Sequence, residues 1–187
     1  MGLDQHVVDT LVCLVRQTYP GWESFADERT VREERGYKVE AVEKAIGSDG
    51  LLLESALRED LEGRAFNSFY ERFKKIAQAT NLLYMSTPNT GDLNTLHLAH
   101  DAEHEIFERF CWALFDLLWG DGSSPDRLGR YLSVLAAEDL PSKWTFPTYF
   151  LFLTHPNEDL FVKTDTMRRL AKELKTPWTA KGSPTGS

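Results

Sequence analysis

Apolar residues recur at three- and four-residue steps along most of this chain, the spacing of helices that bury one stripe. Val7, Val8, Leu11, Leu14 and Val15 predict a first helix over residues 3–16, ended by Tyr19-Pro20-Gly21-Trp22. Val31, Tyr37, Val39, Val42, Ala45 and Ile46 on a charged background predict a long, mostly exposed helix over 26–46, stopped by Gly47. Its Glu33, Glu34, Arg35, Lys38 and Glu40 are spaced for ion pairs one turn apart, worth only tenths of a kcal/mol each (about 0.2–0.5). Ser48-Asp49-Gly50 offers a cap for a third helix from Leu51 to Leu61, closed by Gly63. Phe66, Phe69, Tyr70, Phe73, Ile76 and Ala77 form an aromatic stripe at helical spacing, read as core packing.

A connection rich in turn formers spans 81–91. The longest helical pattern follows, predicted as one continuous rod over 93–119 and ended by Gly120-Asp121-Gly122. Leu96, Ala99, Ala102, Ile106, Phe110, Ala113 and Leu117 are placed on its buried row, with the histidines on the reverse. Ser124-Pro125 reads as a cap followed by proline at the first helical position, opening a helix through Leu128, Tyr131, Leu132 and Leu135. Between Pro141 and Pro156 lies a very aromatic run too apolar for exposure; a buried strand and a short buried helix look alike over eight residues, and the helix is favoured. Thr164-Asp165 caps a last helix to about Leu174. Seven or eight helices without alternating strands predict an all-α, irregular bundle: one domain over 1–176 with a flexible tail over 177–187.

Composition narrows the function. The 187 residues fit one domain, and 42% hydrophobic content supplies its core. A net charge of −8 works against a nonspecific grip on nucleic acid, where Lys and Arg supply most of the affinity. The exception is a basic group near the C-terminus, Lys163, Arg168, Arg169, Lys172 and Lys175, which keeps a nucleic-acid accessory among the alternatives. Cys13 and Cys111 each sit in an apolar helical pattern and are expected to be buried rather than bridged. The N-terminal residues lack the basic, apolar and small-residue segments of a secretory signal, and no apolar stretch approaches the roughly 18 residues of a membrane span. A cytoplasmic protein without membrane contact is the expectation.

Chemistry concentrates in His97-Leu-Ala-His-Asp-Ala-Glu-His104. On one helix, His97, His100, Asp101 and His104 fall within one stripe, a donor set suited to a divalent transition metal. The inner His100 and His104 have the spacing of zinc peptidases, but Asp101 stands where those enzymes carry a general-base Glu, one methylene longer. A metal-dependent hydrolase is therefore an alternative, and solvated or hydrogen-bonded histidines are favoured, with no cofactor. Phosphate loops, nucleophile elbows and Cys-x-x-Cys pairs are missing from the sequence.

Several phrases carry a resemblance: Pro20-Gly-Trp-Glu-Ser-Phe25, Glu34-Arg-Gly-Tyr-Lys38, Ala79-Thr-Asn-Leu-Leu83, Leu117-Leu-Trp-Gly-Asp-Gly122, and above all Lys143-Trp-Thr-Phe-Pro-Thr-Tyr-Phe-Leu-Phe-Leu-Thr-His-Pro156 with Leu160-Phe-Val-Lys163. Across most of its length the chain resembles a group of uncharacterised bacterial proteins with no assigned activity. The histidine cluster lies outside that pattern. The polar residues of its most aromatic part, Lys143, Trp144, His155 and Lys163, are the candidate binding site. The sequence thus favours a helical protein that acts by binding a protein partner or by self-association rather than by catalysis.

Overall fold

The computed structural model describes residues 5–24, 26–80, 82–84 and 91–175, which form an all-helical bundle. Its helices are α1 (Gln5–Thr18), α2 (Glu28–Thr30), α3 (Gly36–Ile46), α4 (Glu54–Glu62), α5 (Phe66–Gln78), α6 (Asn94–Asp101), α7 (His104–Trp119), α8 (Ser124–Ala137), α9 (Thr145–Thr154) and α10 (Thr164–Glu173). A π-type turn, Val31–Arg35, joins α2 to α3, so the expected helix over 26–46 is one nearly unbroken run that opens at Asp27, whose carboxylate accepts from the Thr30 amide at 2.7 Å. Among the described residues there is no strand, and the expected tail over 177–187 lies outside them.

The aromatic run between Pro141 and Pro156 is the helix at the centre of the bundle. In α9 every residue from Phe146 to Leu151, and Leu153 and Thr154, is buried. Its length, with no solvent face to keep polar, explains why no periodicity marked it. A chain of rings passes through it: Phe69 to Phe73 at 4.9 Å, Phe73 to Phe150 at 4.9 Å, Phe150 to Phe146 at 5.1 Å, and from Phe146 through Phe110 to Tyr131. Edge-on and tilted contacts of this kind add about 0.5–1.5 kcal/mol per pair to the burial itself. The stripe predicted for α5 is core as read, with Phe69, Phe73, Ile76 and Ala77 fully buried.

Four expectations are corrected. The helix after Ser48 starts at Glu54, because Gly50 at φ +56° turns the chain so that the Leu51 and Leu52 amides bond back to Lys44 and Ala45, and Leu52 plugs the core without being helical. The rod over 93–119 is broken: Ala102 and Glu103 are extended between α6 and α7, the first with ψ 178°. Cys13 is exposed, while Cys111 is buried and burial pushes its thiol far above the ordinary cysteine range. Finally, α1 buries none of its residues. Its apolar positions Val7, Val8, Leu11, Val12, Leu14 and Val15 are all only half-buried.

The chain reversals elsewhere follow ordinary helix chemistry. Ser123, one residue before the expected cap, and Asp126 exchange side-chain and backbone hydrogen bonds in a capping box that opens α8. The last carbonyls of α7 are taken up by side chains from later in the sequence. Arg127, itself buried, donates to Leu118 O at 3.2 Å, and His155 Nε2 donates to the same oxygen at 2.7 Å.

Candidate functional site

The break at Ala102–Glu103 decides what the histidine cluster can do. Two short helices replace one rod, and their imidazoles lie along α5 rather than projecting from the reverse of the buried row. His97 Nδ1 is 2.9 Å from the Tyr70 hydroxyl, and His100 stacks on the Tyr70 ring with centroids 4.1 Å apart. His104 sits one turn earlier along α5, edge-on to Phe66 at 5.6 Å. Its Nε2 lies 3.3 Å from the Arg64 guanidinium, which also pairs with Glu108 at 2.9 Å. The buried row of α7 is accordingly centred on Phe107, Phe110, Cys111 and Leu114, and Ile106 is only half-buried.

Each ring therefore has its own neighbour, and the cluster is spread along an aromatic seam between α5, α6 and α7. Among the described residues no three His, Cys, Asp or Glu side chains are placed to hold a metal ion. The seam does perturb one group. Burial of His97 penalises its charged form and the nearby Lys74 ammonium adds to this, holding the imidazole below its ordinary basicity; Asp101 acts in the opposite direction.

The second candidate set is also dispersed. Lys143 and Trp144 lie where α9 begins, and the Lys143 ammonium donates to Gly91 O at 3.3 Å, tying this corner to the start of α6. Thr95, from the first turn of α6, donates to Pro141 O at 2.6 Å and closes the same corner. His155 is at the other end of α9, about 15 Å further along the helix axis, where it bonds Leu118 O and packs edge-on to Trp119 at 5.1 Å. Lys163 is exposed, its ammonium 5.9 Å from the Phe161 ring. Lys143 and His155 thus brace opposite ends of α9, and the four residues are not gathered at one place.

The basic residues of the last helix do share one side. Arg168, Arg169, Lys172 and Lys175 are exposed opposite Met167, Leu170 and Ala171, with Asp165 bonding Arg168 at 2.7 Å among them. Interleaved carboxylates dilute that field, as on an ordinary solvated helix.

The N-terminal region offers what sequence reasoning missed. Where α1 meets the turn after it, a cleft of about 610 Å³ opens, lined among others by Val15, Tyr19, Pro20, Trp22, Arg29 and Lys38. That volume is in the range of about 300–1,000 Å³ typical of binding clefts. Val15 is both the end of the half-buried α1 stripe and a wall of this cleft, so the stripe leads into it. The Arg29 guanidinium lies 5.5 Å from the Tyr19 ring centroid at its rim. The stripe itself was legible, but a stripe that packs on its own core and one that packs on a partner have the same period and composition. No family model, curated protein or solved structure matches the chain.

Proposed function

We propose that this chain is a helical binding protein that acts through a protein partner, docked on the surface formed by α1 and the adjoining cleft. One contrast carries this: α5 and α1 are both strongly amphipathic, yet the apolar side of α5 is fully buried and that of α1 only half-buried. Isolated helices shorter than about 12–15 residues are marginal in water, because propagation barely outweighs the cost of nucleation. A 14-residue helix with no buried residue is at that limit and gains most from a covering surface. Its half-covered stripe leaves apolar area that a partner's surface would bury.

The test is a photo-activatable residue placed at Val8 or Leu11 on α1 and, as control, at Ser133 on the exposed side of α8, in cells expressing the full chain. A defined protein adduct from the α1 positions and none from Ser133 supports docking on this surface. Equal labelling at all three positions, or no adduct at any, removes it.

A further inference from the structure

The core of the bundle begins late in the chain. Every buried residue among those described lies between Ala41 and Ala171, and the half-buried apolar side chains packed against the core begin at Tyr37. Val7, Val8, Leu11, Leu14 and Val15 of α1 belong neither to that core nor to the side chains packed against it, although each is half-buried. The stretch before Tyr37 is held together by its own contacts. Trp22 N donates to Tyr19 O at 3.0 Å and Arg16 Nε to Trp22 O at 3.3 Å, tying the turn back to α1. The Arg29 guanidinium, 5.5 Å from the Tyr19 ring, ties α2 to the same turn, and Val15, Tyr19, Trp22 and Arg29 wall one cleft. α1, the turn and α2 therefore make one body.

What joins that body to the bundle is the π-type turn Val31–Arg35, closed by the Gly36 amide reaching back to Val31 O. Turns of this kind are rare and are among the few features that bend a helix sharply. Gly36 comes next, and glycine inside a helix weakens it because its backbone has the most freedom to lose. A π-type turn, a glycine and the last residues before the core thus coincide. We infer that residues 5–35 form an arm that opens as one unit about Val31–Arg35 while the bundle from Tyr37 onward stays folded. Local opening costs only the contacts it breaks, and those of the arm exclude the core. The inference stands whether or not a partner docks on α1. The cleft spans the hinge, with Tyr19 and Trp22 on the arm and Lys38 beyond it, so an occupant of the cleft would hold the arm closed.

The experiment is amide hydrogen exchange on the full chain, read residue by residue. The hydrogen-bonded amides of α1, Trp22 and Thr30 are expected to share one opening constant, about tenfold or more above that of α5 and α7. The step in protection should fall within residues 31–36. Ile76→Val, at a fully buried position of α5, should raise the opening of the bundle amides about twofold to tenfold and leave the arm unchanged. Leu11→Ala should do the reverse, raising opening of the arm about threefold to tenfold while the thermal midpoint of the chain stays where it is. Arm amides that share the protection of the bundle, that follow Ile76→Val or that ignore Leu11→Ala overturn the inference. So does a lower thermal midpoint in Leu11→Ala, or a step in protection at Pro20–Gly21, which would leave α1 lifting alone.

Discussion

The Tyr70 hydroxyl and His97 Nδ1 lie 2.9 Å apart and join α5 to the short helix α6, fixing the position of a ring that is kept from protonating readily. The same tyrosine is stacked by His100 and stands 5.5 Å from the Lys74 ammonium. The seam therefore gathers two imidazoles and a cation around one aromatic ring, where burial and the Lys74 ammonium favour neutral His97.

Stability should consequently fall in mild acid. A histidine whose basicity is depressed by folding contributes nothing adverse above the unfolded value of about 6.5, where it is neutral in both states. As pH falls below that value the unfolded chain takes up its proton first, so stability declines through the lower, folded value. The melting temperature is expected to drop between pH 7 and about 5.5. His97→Gln should flatten that slope, as thermal denaturation followed by circular dichroism at several pH values will measure. An unchanged slope in the variant would place the acid sensitivity elsewhere.

Asp60 is buried at the end of α4, and its Oδ2 accepts from Arg72 Nε of α5 at 2.6 Å, pinning the two helices together. Removing Asp60 strands the Arg72 guanidinium, which is itself only partly buried, so the cost lies between that of an exposed and a buried pair. Asp60→Ala is expected to destabilise by about 1–2 kcal/mol, and Asp60→Leu with Arg72→Leu to recover most of that loss. Urea denaturation of the two variants checks it: equal losses in both would mean that the site depends on shape and not on charge.

Tyr131 is fully buried, its hydroxyl has no hydrogen-bond partner among the described residues, and burial holds the phenol well above its ordinary pKa. Its ring packs against Phe110 at 6.3 Å and contributes whether or not the oxygen is present. A buried polar group without a partner costs about 1–3 kcal/mol, so Tyr131→Phe should leave stability unchanged or raise it, against the usual direction of core substitutions. A loss above about 1 kcal/mol would reveal a hydrogen bond to the hydroxyl.

The places where periodicity succeeded and failed have physical reasons. The α5 stripe was legible because its six apolar residues recur at helical steps and are all buried, and α9 because its run between prolines leaves too few residues for exposure. The break at Ala102–Glu103 was not, since neither glycine nor proline marks it and the helical phase continues across it. What makes it is tertiary: α6 and α7 both pack on the seam of α5, with His104 held at Phe66 and Arg64 and His100 at Tyr70. Placing the histidines opposite the buried row was an error, because their rings pack on Tyr70 and Phe66 of α5, and that error separated a metal face from an aromatic seam. Lys143, Trp144, His155 and Lys163 were grouped by nearness in sequence, whereas a helix carries residues 144 and 155 to opposite ends of its axis.

Leu118 O offers the sharpest test of how the end of α7 is held. It is among the last four carbonyls of its helix and so lacks an intrahelical donor. Two side chains from different elements serve it, Arg127 from α8 at 3.2 Å and His155 from the end of α9 at 2.7 Å. Either donor alone keeps the oxygen bonded, and Arg127 also reaches Gly120 O and the Ser124 hydroxyl. Each single change, Arg127→Met or His155→Leu, thus removes its own contacts while the shared acceptor stays satisfied. Only the double variant strands it. A double-mutant cycle should therefore be non-additive, the pair costing about 1 kcal/mol more than the sum of the singles. Strict additivity in chemical denaturation would show that the two donors do not share this carbonyl in solution.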